Sequence, residues 1–263
     1  MSTIQHLCDV LFEISNEDRL RILRKLDEER TNVTRLSREL NITTQEASRH
    51  LVRLGEVGLT QKDADGYHHI SPYGKLILKQ LHSIEFVTHN RKYFSSHLHE
   101  SLPLEFLNRI GELVNSTYID DPIVSLYSIE KMIRQADKYV WSINFPIPLS
   151  LFPLLQEAFK RGVAVRLMAP KDYVVHPMVK GALQKDERQA IYHARATKLL
   201  EERLVERMDF LLWMSEKKVG LLAFPKPDLG FDLLGFTSTD QQALRWCKDL
   251  FQHYWTNARY LDA

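Results

Sequence analysis

The chain has 263 residues, of which 44% are hydrophobic, with ten glycines and ten prolines, and this composition indicates a folded two-domain protein rather than a disordered one. No apolar run approaches the roughly 20 residues that span a bilayer, and the first residues lack the features of a signal peptide, so we expect a cytoplasmic protein without a membrane partner. Two cysteines far apart in sequence, Cys8 and Cys247, argue against a disulfide framework or thiolate metal cluster, and a net charge of +1 provides no general attraction for nucleic acid.

Four short amphipathic segments in the first 54 residues predict four helices. Apolar residues recur every three or four positions in the first segment: Ile4, Leu7, Cys8, Leu11 and Ile14. Such a face must pack on something. A second helix is expected over residues 16–26 and a short third helix over 35–40. Asn41, which tolerates a left-handed backbone, then closes a tight turn into the fourth helix, in the order of a helix-turn-helix motif.

The fourth helix has the features of a DNA-recognition helix. Thr43 and Glu46 have the spacing of a capping box, which specifies where the helix starts. Its apolar positions fall on one face, and its outer face carries polar side chains: Thr44, Gln45, Ser48, Arg49 and Arg53. Arginine suits guanine or phosphate, glutamine suits adenine, and serine suits the DNA backbone. The alternative is an ordinary amphipathic surface helix.

The segment after the fourth helix predicts a hairpin and then a long helix. Residues 60–70 have the pattern of two short strands around an Asp65-Gly66 turn, which we interpret as a wing. Pro72 then begins a helix that is expected to run to about His97. This length exceeds what a small domain needs, so we predict a dimer built from the first helix and this one.

The order of these elements suggests which side chains meet DNA. Gln45, Ser48 and Arg49 are expected to contact bases. Arg38, Arg53 and Lys62 are expected to contact mainly phosphates. The full candidate set is Arg38, Thr44, Gln45, Ser48, Arg49, Arg53, Lys62 and His68.

The first 75 residues resemble a known class of regulators. The sequence Ser48-Arg49-His50-Leu51, followed by Gly58-Leu59 and, at the end of the wing, Ile70-Ser71-Pro72-Tyr73-Gly74, is similar to metal-sensor-like winged-helix regulators of bacteria and archaea. The resemblance implies a transcription regulator that binds double-stranded DNA, as a homodimer on a palindromic operator.

The pattern changes after a mixed segment at residues 95–122, which we interpret as a domain junction. Apolar runs at 124–127, 139–143 and 163–167 predict strands, with helices expected at 129–138 and 149–161, so a parallel sheet covered on both faces is predicted. A long polar helical region at 176–202 and a hairpin at 210–224 should follow. Thr239 or Asp240 caps a last helix whose aromatic face predicts core packing.

The end of the chain carries a second resemblance. Phe231-Asp232, Gly235-Phe236, Asp240 and the sequence from Trp246 to Trp255 are similar to the C-terminal domain of an archaeal regulator family named for methanogenesis regulation, which is related in shape to phospholipase-D-like folds. With both resemblances we expect a two-domain protein of α+β and α/β class. Its parts would be a winged helix-turn-helix over residues 1–74, a helical linker and dimerisation segment over 75–121, and an α/β sheet domain over 122–263.

The second domain could be an enzyme, a metal sensor or a protein-interaction module. A phospholipase-D-type enzyme needs a histidine with a lysine two residues later, and none of the eleven histidines has one, so we expect no catalytic residues and no cofactor. His82, His89, His97 and His99 suggest a metal sensor, but no cysteine or carboxylate stands at ligand spacing and no metal site is predicted. A non-catalytic protein-interaction module and a degenerate hydrolase remain alternatives.

A small-molecule effector is predicted where the parallel strands end. Loops diverge at the carboxyl ends of such strands, and side chains there can bind a metabolite. The candidate effector residues are Ser128, Asn144, Phe145, Arg166, Lys171 and Trp213. The alternative is that Arg166 pairs with an acid such as Glu130 and that side chains fill the crevice.

Overall fold

The computed structural model describes residues 2–99, 102–143, 149–171, 181, 184–206 and 210–260. The chain divides into two compact units, residues 1–82 and 83–263. The first unit contains α1 (Thr3–Ile14), α2 (Glu17–Glu28), α3 (Val33–Leu40), α4 (Thr44–Glu56), β1 (Thr60–Lys62), β2 (His68–Ile70) and the beginning of α5 (Pro72–His89). The predicted helix-turn-helix order and the predicted hairpin are therefore confirmed.

Side-chain caps fix where the helices of the first unit begin. The side chains of Asn16 and Asn32 accept backbone N–H groups at the starts of α2 and α3. Asn41 ends α3 with φ at +55°, the left-handed conformation that its short polar side chain tolerates. The turn between α3 and α4 is therefore set by local sequence, as predicted.

The wing is attached to the helices at two places. Thr31 and His68 exchange two backbone hydrogen bonds, with N···O distances of 2.9 and 2.8 Å. At the other end of the hairpin, a Cβ on Gly74 would lie 2.2 Å from the Leu59 carbonyl oxygen, so only glycine allows α5 to pass this close. These two contacts position β1 and β2 against α2 and α5.

Helix α5 is shorter than expected. It ends at His89, not near His97, and Asn90 interrupts it by donating its side-chain amide to the Phe86 carbonyl. The division between the two units falls at His82, within the segment 75–121 that was expected to link them. None of the described helices has the length and apolar content needed to cross a membrane.

The second unit is a mixed α/β structure. Its described helices are α6 (Arg91–Phe94), α7 (Leu104–Asn108), α8 (Pro122–Gln135), α9 (Phe152–Lys160), α10 (Lys185–Ala196) and α11 (Gln241–Asn257). Its described strands are β3 (Thr117–Ile119), β4 (Tyr139–Ile143), β5 (Ala164–Pro170), β6 (Leu200–Val205), β7 (Leu211–Ser215), β8 (Val219–Ala223), β9 (Gly235–Ser238) and β10 (Arg259–Tyr260). The predicted hairpin at 210–224 and the predicted last helix are confirmed.

One sheet organises the second unit, in the order β10-β6-β5-β4-β7-β8-β9-β3. Only β4, β5 and β6 are parallel to one another, and the other neighbours pair antiparallel. The predicted parallel pairing is confirmed for β4 and β5, and the predicted β7–β8 hairpin joins the same sheet with its strands antiparallel. The fold is a two-domain α+β architecture, as expected.

Alternating side chains of the strands build two cores, one on each face of the sheet. On one face Val140, Val165 and Trp213 pack with α8, α9 and α10. On the other face Trp141 and Leu212 pack with α11 and the segment around α7. Because every strand of the hairpin is buried on both sides, its sequence is continuously apolar.

Two predicted elements of the second unit are wrong. Residues 124–127 were expected to form a strand but lie in α8, which Asp121 caps and Pro122 opens. The polar region at 176–202 was expected to be one long helix, whereas α10 ends at Ala196 and β6 follows. The charged residues of β6 made its sequence look helical, although ion pairs with neighbouring elements satisfy them.

Candidate nucleic-acid interface

Helix α4 presents the outer face that its sequence predicts. Ala47, Leu51 and Leu54 are buried in the first unit. The side chains on the opposite face are all exposed: Thr44, Gln45, Ser48 and Arg49. Four neighbouring donors and acceptors on the surface of one helix are the arrangement that base edges in a major groove require.

The start of α4 is held by a complete capping box. The Glu46 N–H donates to Thr43 Oγ1 at 3.2 Å, and the Glu46 carboxylate accepts the Thr43 N–H at 2.9 Å. The Thr43 hydroxyl also donates to that carboxylate, at 2.8 Å. The backbone N–H of Thr43 and then its hydroxyl lower the pKa of Glu46. The carboxylate is therefore charged, and the first turn is ordered before DNA arrives.

We expect Thr43→Ala to lower the free energy of unfolding by about 1 kcal/mol, the usual cost of losing an N-cap. Because the pKa of Glu46 is lowered in the folded chain, its stabilisation is complete above the ordinary carboxyl pKa and declines as the pH falls through the lowered value. Urea unfolding across acidic pH measures both effects. Glu46→Gln is the matched variant, and the same acidic dependence in that variant would contradict the assignment to Glu46.

A buried ion-pair network joins α1, α2 and the recognition helix. The Arg19 guanidinium lies 3.1 Å from the Glu13 carboxylate, and both side chains are more than nine-tenths buried. The other Glu13 oxygen accepts from Arg53 Nη2 at 3.1 Å. Arg19 also donates to the Glu13 carbonyl at 2.6 Å and to the Phe12 carbonyl at 3.0 Å. Glu13 thus connects the end of α1 to the last turn of α4.

This network changes the interpretation of Arg53 and adds two residues. Arg53 was predicted to meet phosphate, but its guanidinium pairs with Glu13 and lies over the Phe12 ring. It is therefore less available to DNA than the exposed Arg49. Glu13 and Arg19 were not singled out from the sequence, because their partner Arg53 lies forty residues away from Glu13 and no local pattern links them.

His50 belongs to the core of the motif and not to its outer face. The ring is buried, and burial lowers its pKa, with Arg19 and Arg49 lowering it further. A neutral imidazole inside the unit does not offer a charge to phosphate. The basic character of the recognition helix therefore comes from Arg49.

The wing and α3 carry the remaining predicted DNA contacts. Lys62 at the end of β1 and Arg38 on α3 are exposed, while His68 on β2 is half-buried and has its pKa lowered by burial and then by Lys62. The structure adds Arg30, whose guanidinium lies 3.2 Å from Asp63 and stacks over Tyr67. Arg30, in the segment between α2 and α3, and Tyr67 on the hairpin are both exposed, so a basic and an aromatic side chain meet at the surface of the wing.

The described members of the predicted effector set lie in different surroundings. Ser128 lies on α8 and not at the carboxyl end of a parallel strand, and its hydroxyl donates to the Gly220 carbonyl, near the beginning of β8, at 2.8 Å. Arg166 pairs with Glu201 at 3.1 Å and stacks over Trp255, so its acid partner is not Glu130. It lies on the face of the sheet opposite to Trp213.

The other members of the predicted effector set add no further geometry. Trp213 is fully buried and is not a wall of an open crevice. Lys171 follows β5, at a carboxyl strand end as expected, and pairs at the surface with Glu206. Asn144 and Phe145 lie outside the described residues.

The histidines considered for a metal have other surroundings. His97 is buried against Tyr93, with its Nε2 atom 3.2 Å from an Asp232 carboxylate oxygen. His82, His89 and His99 are exposed. Among the described residues no three potential ligands gather around one point.

Comparison with known proteins identifies the first unit. Residues 16–62 match the model of the arsR family of bacterial regulatory proteins, and that range begins at the cap of α2 and ends with β1. No curated protein matches the chain.

Solved structures resemble the chain over different parts. TrmBL2, an archaeal chromatin protein whose structure shows a mode of DNA binding, has 14% identity over 99% of this chain and 100% of its own, with a TM-score of 0.44. HlyU from Vibrio cholerae has 30% identity over 30% of this chain and 88% of its own, with a TM-score of 0.27. NUC from Salmonella typhimurium, a phospholipase D family member, has 14% identity over 52% of this chain and 91% of its own, with a TM-score of 0.35.

The family match and the observed elements agree. The matched range contains α2, α3, α4 and the first strand of the wing, and it includes the exposed face of α4. The first unit is therefore a winged helix-turn-helix of the arsR regulatory type, and the chain carries the DNA-binding domain of a transcription regulator.

Proposed function

We propose that the protein is a homodimeric transcription regulator that binds a two-fold symmetric site in double-stranded DNA. The observation that carries the proposal is the outer face of α4, where four exposed polar side chains stand on a helix fixed by a capping box and by the Glu13–Arg53 ion pair. A rigid helix is what sequence discrimination needs, since a misplaced bidentate contact loses its preference for one base.

The proposed contacts divide into two classes. Gln45, Ser48 and Arg49 project from the first two turns of α4 and meet base edges. Arg38 lies on α3, which precedes the recognition helix, and Lys62 lies on the wing, which follows it. Both meet phosphates. Thr44 and His68 join the phosphate class, because one opens α4 and the other lies on the wing strand.

The test compares two variants with a control. DNA sites are first selected from a random duplex library with the purified chain, and affinities are then measured by fluorescence anisotropy. Arg49→Ala should weaken the selected site by about 1 to 3 kcal/mol, roughly 5- to 150-fold, with relaxed sequence preference. Lys62→Ala should weaken every duplex and reduce the salt slope by about one.

Arg91→Ala, at an exposed arginine of α6, is the matched control and should bind as the wild type does. Equal losses for Arg49→Ala on selected and random duplexes would contradict base contact by α4. Failure to enrich any sequence would contradict the regulatory function itself.

The proposed dimer interface uses the outer face of α1, and α5, the second helix predicted for the dimer, also exposes an apolar side chain, Leu76. Of the predicted apolar stripe, Ile14 is buried in the unit beside Val10, while Ile4, Leu7, Cys8 and Leu11 are exposed. Contiguous exposed apolar side chains on one helix mark an interaction surface. Pairing two copies there would present two recognition helices to half-sites about one helical turn, roughly 34 Å, apart.

The proposed role of the second unit is regulatory and non-catalytic. The β7–β8 hairpin is buried on both faces and its sequence contains no histidine, which supports the absence of phospholipase-D-type chemistry there. Effector sensing by this unit stays a prediction. Two of the residues proposed for it, Arg166 and Trp213, lie on opposite faces of the sheet and would not line one pocket. Docking of another protein is the alternative role for this unit.

A further inference from the structure

Helix α8 exposes an apolar patch that the DNA-binding function does not use. Ile123, Val124 and Tyr127 are 77%, 48% and 63% exposed, although all three are large hydrophobic side chains. The buried face of the same helix, which includes Ile129 and Met132, packs on the sheet. Three adjacent exposed apolar groups on the outside of a well-packed helix indicate an unpaired surface.

The charges around this patch have opposite sign at its two ends. Asp120 and Asp121 are exposed at the N-terminal end of α8, and Lys131 and Arg134 are exposed near its C-terminal end. Helical spacing places the basic pair on the same face as Tyr127. A helix that is acidic at one end and basic at the other is complementary to a second copy of itself in the antiparallel orientation.

We propose that α8 of one chain pairs antiparallel with α8 of a second chain across a two-fold axis at Tyr127. In that register Tyr127 meets its own symmetry mate, because a two-fold contact is made by the same surface on both copies. The C-terminal end of one α8 then lies opposite the N-terminal end of the other, which brings Arg134 of the partner subunit close to Asp120, just before the helix. Ile123 packs against the aliphatic stem of Lys131 of the partner subunit.

The apolar patch on α8 is too small to hold two chains together by itself. Stable interfaces bury about 1,200 to 2,000 Å², and three apolar side chains from each copy are too few to supply this area alone. The pairing therefore rests on the proposed dimer through α1, which would hold two second units at high effective concentration. It gives the dimer a second, weaker contact through which the second units are held together.

The test is disulfide cross-linking of the full chain. Cys8→Ala removes the exposed native thiol, and Cys247 is fully buried, so a cysteine introduced at one surface position reports that position alone. Because Cys8 lies on the proposed α1 interface, light scattering first compares the Cys8→Ala chain with the wild type. Tyr127→Cys is compared with Tyr192→Cys, an exposed tyrosine on α10 that serves as the matched control. Oxidation by copper–phenanthroline should join two copies of the Tyr127→Cys variant about tenfold faster than two copies of the Tyr192→Cys variant.

Charge variants test the register. In the Tyr127→Cys background, Arg134→Glu should slow cross-linking, because the introduced carboxylate faces Asp120 of the partner subunit. Adding Asp120→Lys should restore the rate by reversing both charges. Unchanged rates in the two charge variants would overturn the antiparallel pairing.

Light scattering of the same samples under reducing conditions separates this inference from the proposed dimer. A dimer in which the Tyr127→Cys and Tyr192→Cys variants cross-link equally slowly overturns the α8 pairing and leaves the α1 interface intact. A monomer that cross-links in neither variant overturns both. Fast cross-linking of Tyr127→Cys in a chain that is otherwise monomeric supports the α8 pairing, rejects α1 as the dimer interface and overturns the dependence of the pairing on α1.

Discussion

Replacing Glu13 by alanine is expected to lower the free energy of unfolding of the first unit by about 3 to 5 kcal/mol, the usual cost of removing one member of a buried ion pair. The change leaves the Arg19 guanidinium, more than nine-tenths buried, with two backbone carbonyls as its acceptors. It also removes the carboxylate partner of Arg53 on the recognition helix. The lower end of the range is expected, because those carbonyls still accept hydrogen bonds.

The distribution of tryptophans makes this measurement specific. All four tryptophans lie in the second unit, at positions 141, 213, 246 and 255. Tryptophan fluorescence therefore follows unfolding of the second unit, whereas helical circular dichroism follows both. Glu13→Ala should move the circular-dichroism transition to lower urea and leave the fluorescence transition in place.

Two further variants control the interpretation. Glu56→Ala removes an exposed acid from the same helix as Arg53 and should change stability by less than about 0.5 kcal/mol. Glu13→Gln keeps the size and oxygen acceptor of the side chain but loses its charge, and should lie between Glu13→Ala and the wild type. A loss below about 1 kcal/mol in Glu13→Ala would show that desolvation offsets the ion pair.

Local signals predicted the first unit well because each of its elements is defined within a few residues. The capping box of Thr43 and Glu46, the left-handed Asn41 and the Asp65-Gly66 turn each depend on residues that are close together in sequence. The helix-turn-helix needs little more than these, so its order and its outer face could be predicted. The break after His89 could not, because asparagine is also found within helices elsewhere.

The second unit was predicted less well where burial and long-range pairing decide the structure. Val124 and Tyr127 are apolar but exposed, whereas Ser125 between them is buried, and this run was taken for a strand despite the helix-start signal of Asp121-Pro122. Strand β6 is polar because Glu201 and Glu202 pair with Arg166 and Arg195. Such pairs join different elements of the fold, and no periodicity in a single segment reveals them.

The candidate site shows the same limit. The exposed side of α4 follows from helical spacing, so its exposed polar side chains could be predicted from the sequence. The position of α4 depends on Glu13 and Arg19, which lie on other helices and were missed. Ser128 was placed at a strand end because residues 124–127 were predicted to form a strand, whereas these residues lie in α8.

Charges introduced into the outer face of α1 are expected to abolish the dimer. Leu7 and Leu11 are 58% and 45% exposed, and each would contribute about 1.5 to 3 kcal/mol if it were buried between two copies. Leu7→Glu with Leu11→Glu removes this burial from both chains and places four carboxylates in one interface. The dimer dissociation constant should rise by more than about a thousandfold, which corresponds to about 4 kcal/mol.

Sedimentation velocity across a concentration series measures that constant, and the same samples are tested on the selected DNA. The double variant should keep helical circular dichroism, since both side chains point away from the unit, and should bind a single half-site more weakly than the dimer binds the whole site. Leu104→Glu, at an exposed leucine of α7, is the control and should remain dimeric. If the double variant dimerises as the wild type does, the two-fold axis lies elsewhere, and the spacing of roughly 34 Å between half-sites no longer follows from α1.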